Sequence, residues 1–463
     1  RIARVLVLSA EHPARLMLLS FATASALGSL LLVLPICLRD ASNVSIIDAL
    51  FLSTSAVCVT GLSTPNVADT YTFAGQLVLG ALMQAGGRGI RALTAAVTML
   101  AGQRMGVKSS SILAQMVDAA SLADLKRTLR AIGVYTLAFE GIGALVLYVQ
   151  FAAVPEVAET AASSAGPMAG AGSAGWAAVF HSVSAFCNGS LSNFRGGLVP
   201  FASDVGVCQT LAGLIVLGGL GFPVIHELTL RAISKLRGIH PRRVSLNTRI
   251  ALTTSAALLG GMAVAYFVLE RGASFAGLPL VDQINAAVFQ SACARTSGFN
   301  VVDMAAMRPA MLLLTCFAMF VGGDPGSTAG GIKTTTLAVL FASYRGELRG
   351  QRPRLLDRTV PDAVVRRAVG VAFLGTVGIG GVVLLLSLTE PFDTLSLFFE
   401  ATSAFSTTGL STGITPLLSP AGKVCILLTM LFGRIGPLTV ALALSRRGPS
   451  PAIELPEERV MIG

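Results

Sequence analysis

One type of segment recurs four times along the chain, and this repetition limits the possible folds more than any other feature. The copies occupy residues 51–62, 180–191, 288–299 and 399–410. Aligned end to end, they place in register Gly61, Ser190, Gly298 and Gly409. Each copy is apolar, ends in small and hydroxylated residues, and is shorter than the ~20 residues with which a helix crosses a bilayer. Four copies predict re-entrant helices followed by loops, rather than four ordinary apolar helices capped by glycine.

The composition predicts that the chain lies in a membrane. It has 53% hydrophobic and only 13% charged residues, whereas about 25% of residues are charged in soluble domains. The net charge of +10 indicates topology rather than a nucleic-acid partner, because the basic residues fall in short loops on one side of the predicted spans. The seven cysteines have no metal-ligand or CxxC spacing, and the four histidines form no repeated cluster with acids. We therefore expect neither an enzyme nor an organic cofactor.

Eight apolar spans flank the four repeated segments and predict the topology. Their approximate ranges are 15–37, 73–101, 131–154, 205–233, 250–269, 309–321, 368–388 and 424–444. Basic loops alternate with acidic or neutral ones, so both termini are predicted to be cytoplasmic and all four re-entrant segments to enter from outside. The predicted fold is an all-α integral membrane protein of four pseudo-repeated helix–re-entrant loop–helix units around a central ion pore. The predicted units are residues 1–105, 106–240, 241–350 and 351–463.

The sixth span is interrupted by a stretch that cannot be helical. This stretch, residues 322–331, consists of Gly322, Gly323, Asp324, Pro325, Gly326, Ser327, Thr328, Ala329, Gly330 and Gly331. So much glycine and proline breaks a helix, and bare backbone is tolerated at membrane depth only where it lines a cavity or is buried in protein. Because the break is expected in only one of the four units, we predict a gate in this stretch together with Lys333, with a structural kink as the alternative.

The four loop ends predict a path for a monovalent cation. Carbonyl oxygens from four loops around one axis can replace the hydration shell of a dehydrated cation. No carboxylate lies in the final residues of any loop, which favours a monovalent ion over calcium. The predicted filter residues are Val59, Thr60, Gly61, Asn188, Gly189, Ser190, Thr296, Ser297, Gly298, Thr407, Thr408 and Gly409. The alternative from a different class is a coupled secondary transporter that uses the broken helices as gates.

Three motifs resemble the Trk/Ktr/HKT superfamily of potassium transporters. They are SAVCVTGL at residues 55–62, GGDPGSTAGGIKTTT at 322–336 and GRIGPL at 433–438, and the resemblance covers nearly the whole chain. With eight full spans, the chain is most similar to KtrB-type membrane subunits. The resemblance implies gated uptake of potassium across the cell's cytoplasmic membrane. It also implies a homodimer with one pore in each protomer, on a cytosolic ring of regulatory subunits that bind ATP/ADP or NAD(H). Arg434 would be an electrostatic barrier below the filter or, alternatively, a paired arginine.

Two features depart from the family pattern. Ser190 replaces the glycine expected in the second loop, and a serine at one filter glycine accompanies sodium preference in related plant transporters. Sodium transport, by a sodium-selective or sodium-coupled protein, is therefore the alternative to potassium uptake. Arg88 and Arg91 stand in a span that is usually apolar. We expect them to compensate a buried acid such as Glu140, with a regulatory or ion-repelling role as the alternative.

Overall fold

The computed structural model describes residues 13–39, 44–89, 122–153, 171–239, 243–437 and 439–440, which are mostly helical. The only strands among them are β1 (Arg354–Leu355) and β2 (Arg358–Thr359), which pair antiparallel as a small hairpin. The predicted all-α class is confirmed.

The described residues include fifteen α-helices. They are α1 (Pro13–Leu32), α2 (Ile46–Cys58), α3 (Val67–Thr70), α4 (Phe73–Gln84), α5 (Leu122–Ala152), α6 (Ala171–Cys187), α7 (Val205–Leu220), α8 (Phe222–Leu236), α9 (Leu246–Glu270), α10 (Leu280–Cys293), α11 (Pro309–Phe320), α12 (Thr334–Leu348), α13 (Asp362–Thr389), α14 (Thr394–Ser406) and α15 (Pro420–Ile435). A five-residue π-helix, Ala85–Gly89, continues α4.

The long helices are built for lipid contact. Three of the described helices are long and apolar enough to cross a membrane: Arg130–Ala152 within α5, all of α9, and all of α13; α7 and α8 form a fourth if the bent pair counts as one span. Their outer faces expose large apolar side chains, including Leu137 (72%), Val264 (63%) and Leu388 (77%). Contiguous exposure of this kind is rare in soluble monomers. The chain is a membrane protein.

The four short helices that carry the repeated segments, α2, α6, α10 and α14, lie inside this shell of longer helices. Each packs against the long helix before it in sequence: α2 on α1, α6 on α5, α10 on α9 and α14 on α13. Each also packs against a helix that follows a different short helix: α2 on α15, α6 on α4, α10 on α7 and α14 on α11. These contacts close into a cycle, which brings the four helix ends together.

Polar caps and close glycines position the short helices. Ser45 starts α2 by accepting a hydrogen bond from the Asp48 N–H, and Asp393 starts α14 by accepting one from the Ser396 N–H. At their other ends, glycines of the following helices approach backbone carbonyls so closely that a Cβ would collide. A Cβ would lie 1.7 Å from Val57 O if built on Gly86, 2.1 Å from Phe186 O on Gly218, and 1.7 Å from Phe405 O on Gly433.

The prediction that only one unit contains a broken helix is wrong. The predicted fourth span consists of α7 and α8, which meet at 102°. Gly221 between them has φ +81°, a conformation that suits glycine, and α8 starts with Pro223 near its first position. The predicted eighth span is likewise interrupted, since α15 stops at Ile435, Gly436 caps it with φ +94°, and residues 437, 439 and 440 are helical again. In the second span, α4 gives way to the π-helix, and residues 90–101 lie outside the described residues.

The proposed boundaries of the four units stay a prediction. The first boundary, at 105/106, and the second, at 240/241, both fall outside the described residues. The third, at 350/351, lies between the end of α12 and the β-hairpin.

Gly433→Ala should destabilise the protein strongly. Its Cβ would lie 1.7 Å from Phe405 O, and overpacking of this kind costs about 3 kcal/mol. Gly380→Ala in α13 is the matched control, because a Cβ there meets nothing within 4 Å and alanine favours a helix by up to ~1 kcal/mol over glycine. Thermal unfolding of the purified variants in detergent checks this. Equal unfolding temperatures for the two variants would contradict the close approach.

Candidate ion-conduction site

The loop after α2 leaves its helix through a strained turn. Val59 caps α2 in the left-handed region, with φ 55°. The Thr60 N–H then donates to Ser55 O (2.8 Å), and the Gly61 N–H donates to Ser55 Oγ (3.0 Å). One buried serine therefore fixes the last turn of the helix and the position of Gly61.

The loop after α14 repeats this geometry. Thr407 caps the helix with φ 49°. The Thr408 N–H donates to Ser403 O (2.9 Å), and the Gly409 N–H donates to Ser403 Oγ (3.0 Å). Ser403 thus has the role in this loop that Ser55 has in the first.

In each of the four loops, the residue two positions before Gly61, Ser190, Gly298 or Gly409 has a left-handed backbone conformation. These residues are Val59 (φ 55°), Asn188 (φ 59°), Thr296 (φ 82°) and Thr407 (φ 49°). Positive φ is uncommon for residues other than glycine and costs most for β-branched side chains. Such strain persists only where surrounding contacts hold it, and it concentrates at functional sites.

The four register residues meet at one place. A Cβ on Gly61 would lie 2.2 Å from Ser190 Cβ, one on Gly298 would lie 2.1 Å from the carbonyl carbon of Gly409, and one on Gly409 would lie 2.1 Å from Thr60 O. The backbone N–H of Gly298 in turn donates to Ser190 Oγ. The loops therefore follow one another around a closed ring in chain order.

The hydroxyl of Ser190 links neighbouring loops of this ring by hydrogen bonds that a glycine could not form. Its φ is 58°. Its hydroxyl accepts from the Gly298 N–H, donates to Thr408 O (3.1 Å), and lies 3.5 Å from Ser297 Oγ. A second tie links neighbouring loops, because the Asn188 side-chain amide lies 3.1 Å from Thr296 Oγ1. The Ser190 hydroxyl thus engages a backbone carbonyl oxygen of the fourth loop.

Residues 322–331 pack directly against the loops of the ring. A Cβ on Gly330 would lie 2.2 Å from Thr407 Oγ1, and one on Gly322 would lie 3.1 Å from Thr296 Cγ2. The segment also fills the break between α7 and α8. The Asp324 N–H donates to Gly219 O (2.9 Å), and the Phe222 N–H donates to Gly326 O (3.3 Å). The backbone groups that the bend releases are satisfied by a different part of the chain.

The two ends of residues 322–331 are joined by backbone hydrogen bonds. The Gly322 N–H donates to Ile332 O (3.0 Å), and the Thr334 N–H donates to Gly323 O (3.3 Å). Lys333 precedes α12 as its N-cap residue and donates from Nζ to Ala329 O (2.8 Å). The segment is therefore a closed loop whose exit is continuous with α12.

Arg434 is buried beneath this loop, with 1% of its surface exposed. Its guanidinium donates to three backbone carbonyls: Gly86 O (2.7 Å), Gly87 O (3.0 Å) and Thr328 O. Thr328 Oγ1 continues the contact by donating to Gly218 O (3.1 Å). One cation therefore joins α15, the π-helix after α4 and the loop 322–331.

Sequence reasoning missed a second buried arginine. Arg295 immediately precedes Thr296; its Nη2 donates to Ser255 Oγ (3.0 Å) and to Gly322 O (3.4 Å). Ser255 Oγ donates in turn to Asp324 Oδ2 (3.0 Å), and Thr334 Oγ1 donates to Asp324 Oδ1. This relay connects a predicted filter loop to the predicted gate through α9. A charged residue inside an apolar repeat is the signal that could have identified it.

The predicted role of Arg88 and Arg91 stays untested, because the Arg88 side chain and all of Arg91 lie outside the described residues. Glu140 is buried, accepts a hydrogen bond from Gln84 Nε2 and lies 3.7 Å from Cys187 Sγ. The pairing of Glu140 with the arginines stays a prediction.

The chemistry of the ring suits a weakly hydrated cation. The register residues and their neighbours supply carbonyl and hydroxyl oxygens, and the described parts of the four loops place no carboxylate among them. Neutral oxygens can replace the hydration shell of a monovalent cation without binding it too tightly to be released.

Comparisons with known proteins agree in class. The family model of TrkH, described as a cation transport protein, matches residues 18–455. The Ktr system potassium uptake protein B of Vibrio alginolyticus is 34% identical over 457 residues, which cover 97% of this chain and 94% of that protein. The potassium/sodium uptake protein NtpJ of Enterococcus hirae is 31% identical and covers 97% of both chains.

A solved structure shares the fold. The crystal structure of the potassium transporter TrkH from Vibrio parahaemolyticus superposes with a TM-score of 0.71 at 20% identity, over 92% of this chain and 83% of that one.

Asp324→Ala should destabilise the protein by about 3 kcal/mol, because it removes the acceptor of two buried hydroxyls and a nearby negative charge for Arg295. Asp357→Ala is the matched control. Asp357 is paired with Arg249 at 3.1 Å, but its side chain is 80% exposed, and surface pairs contribute less than ~1 kcal/mol. Thermal unfolding of both variants checks the comparison. A smaller loss for Asp324→Ala than for Asp357→Ala would contradict the relay.

Proposed function

Because the chain belongs to the TrkH family of cation transport proteins, we propose that it takes up potassium across the cytoplasmic membrane through a gated, channel-like filter. The observation that carries this proposal is the closed ring of Gly61, Ser190, Gly298 and Gly409, each preceded by a strained left-handed turn. The family is one of transporters and not of enzymes. The filter consists of the backbone and hydroxyl oxygens of these four loops.

The driving force is the membrane potential. A monovalent cation moving inward gains about 2.3 kcal/mol for each 100 mV of negative-inside potential. With both termini cytoplasmic and the short helices α2, α6, α10 and α14 entering from outside, the ion reaches the ring first and the loop 322–331 afterwards. Uptake then needs no catalytic group on the chain, only selection and gating.

The loop 322–331 is the gate, and Arg434 is the barrier next to it. The loop packs against Thr296 and Thr407 and is continuous with α12. Arg434 donates to Thr328 O within the same loop. Movement of α12 would therefore shift the loop together with Thr328 O, the hydrogen-bond acceptor of Arg434. This one movement would open the path of the ion.

The gate is controlled from the cytosol. The last turn of α12 contains Arg345, and the stretch that follows the helix is also basic and includes Arg349 and Arg352. This end suits contact with a cytosolic regulatory ring that binds ATP/ADP or NAD(H), beneath a homodimer of the membrane chain. The similarity to a protein named as part of a Ktr system supports such a partner.

Sodium is the second candidate ion. Ser190 donates to Thr408 O and so changes the oxygens that the ring presents. The similarity to the potassium/sodium uptake protein NtpJ points the same way.

Growth of a potassium-uptake-deficient bacterial host at low potassium tests the proposal. Expression of the chain should restore growth, and vesicles of purified protein should take up rubidium down a gradient without fixed coupling to sodium. Protein that is inserted in the membrane but neither restores growth nor passes potassium or sodium in vesicles would refute it. A fixed ratio of two ions would favour the coupled carrier instead.

Ser190→Gly should sharpen selection for potassium over sodium. The substitution removes the acceptor of the Gly298 N–H and releases Thr408 O from a hydrogen bond. The bond to Thr408 O is worth about 1 kcal/mol, so the permeability ratio should rise about fivefold. Reversal potentials in mixed potassium and sodium measure the ratio, with Ser387→Gly at an exposed position of α13 as the control. An unchanged ratio in Ser190→Gly would show that this hydroxyl does not set selectivity.

Arg434→Ala should raise cation flux about tenfold, which corresponds to removal of about 1.4 kcal/mol from the barrier. Arg434→Lys separates the charge from the hydrogen bonds, because it keeps the charge but lacks the planar fork that reaches several carbonyls. Its flux should stay close to that of the parent. Rubidium uptake by vesicles containing equal amounts of folded protein measures both variants. A normally folded Arg434→Ala protein with no increase in flux would exclude the barrier.

A further inference from the structure

A cavity of about 510 Å³ lies away from the ring. It is bounded by the initial turns of α9, α12 and α13 and by the β-hairpin. The residues of these elements that line it include Ile250, Val339, Leu355 and Arg367. Its volume falls in the range of sites for small molecules.

The lining combines apolar and polar side chains. Ile250, Val339, Val360 and Ala368 are all buried. Arg367 is exposed and supplies the positive charge. Among the hydrogen bonds of the described residues, none uses the side chain of Asn247, Thr335, Thr336 or Thr359. The cavity therefore offers several polar groups and one charge to an amphiphilic ligand.

The level of the cavity relative to the membrane points to a lipid. Arg367 directly precedes the long apolar run of α13, and Arg249 stands in the first turn of α9. Arg249 pairs with Asp357 of the hairpin turn (3.1 Å), which holds the hairpin, with its exposed Arg354 and Arg358, beside the cavity. Charged residues at the start of an apolar helix lie at the headgroup level.

We propose that this cavity binds an anionic phospholipid of the cytoplasmic leaflet, with the headgroup phosphate at Arg367 and part of an acyl chain along Ile250 and Val339. The choice of leaflet rests on the proposed function, in which both termini are cytoplasmic. The excess of arginine around the opening favours an anionic over a zwitterionic headgroup. The starts of α9 and α13 add partial positive charge on the cytoplasmic side.

Bound lipid would act on the gate. Thr335, Thr336 and Val339 belong to α12, which starts one residue after Lys333 and follows the loop 322–331 directly. A ligand that touches α12, α9 and α13 together holds α12 in place. Occupancy of the cavity thus controls the element that moves the gate.

Native mass spectrometry of the purified full chain tests the binding site. Protein prepared with phosphatidylglycerol should retain this lipid in preference to phosphatidylcholine, and Arg367→Gln should weaken retention about fivefold. Arg366→Gln is the matched control, since Arg366 is exposed on the same helix turn but does not line the cavity. Val364→Trp, which fills the cavity from its exposed rim, should reduce retention without removing a charge.

Equal retention of phosphatidylglycerol by the parent and Arg367→Gln, or no preference of the parent over phosphatidylcholine, would overturn the proposal. Displacement of the lipid by millimolar glycerol phosphate would also overturn it, in favour of a soluble phosphate ester. Lipid retention is measured without ion flux, so a failed transport assay leaves this result intact. Rubidium uptake should be faster in phosphatidylglycerol vesicles than in phosphatidylcholine vesicles for the parent, and this difference should shrink in Arg367→Gln.

Discussion

Backbone groups that leave a helix away from water must find partners within the protein, and this requirement explains how the centre of the molecule is built. The bend at Gly221 releases carbonyls at Gly218 and Gly219, and the loop 322–331 supplies the donors that they lack. Arg434 does the same for Gly86 O and Gly87 O at the π-helix. Each break is thus completed by a distant segment, so the breaks cannot form independently of one another.

The same requirement accounts for the strained turns. Val59 and Thr407 are β-branched residues in the left-handed region, which is unfavourable unless other contacts compensate. Ser55 and Ser403 provide that compensation by accepting from the N–H groups of Gly61 and Gly409. Short helices that pack in a cycle bring these turns together, and the proposed filter depends on both features.

Much of this arrangement could be predicted from the sequence. The four copies aligned on Gly61, Ser190, Gly298 and Gly409, and these residues meet in the structure. The apolar composition identified a membrane protein. These features were accessible because a short repeat and a lipid-facing helix both leave a pattern along the chain.

Other features leave no such pattern. The bend at Gly221 lies within one long apolar run, so the hydropathy pattern predicts a single span there. Gly221 and Pro223, which both disfavour a continuous helix, are the signals that could have indicated the break. The relay from Arg295 through Ser255 to Asp324 joins residues of three separate elements. Pairing of this kind depends on the packing of α9 against the loops and is not encoded in any local spacing.

The proposed filter requires that four loops form one site for a dehydrated potassium ion. A structure of the protein in rubidium, with the ion located by its anomalous scattering, is the decisive test of this site. We expect an ion on the axis of the ring, surrounded by oxygens of the loops that contain Gly61, Ser190, Gly298 and Gly409. Ordered rubidium elsewhere in the protein, with none at the ring, would contradict the proposed filter.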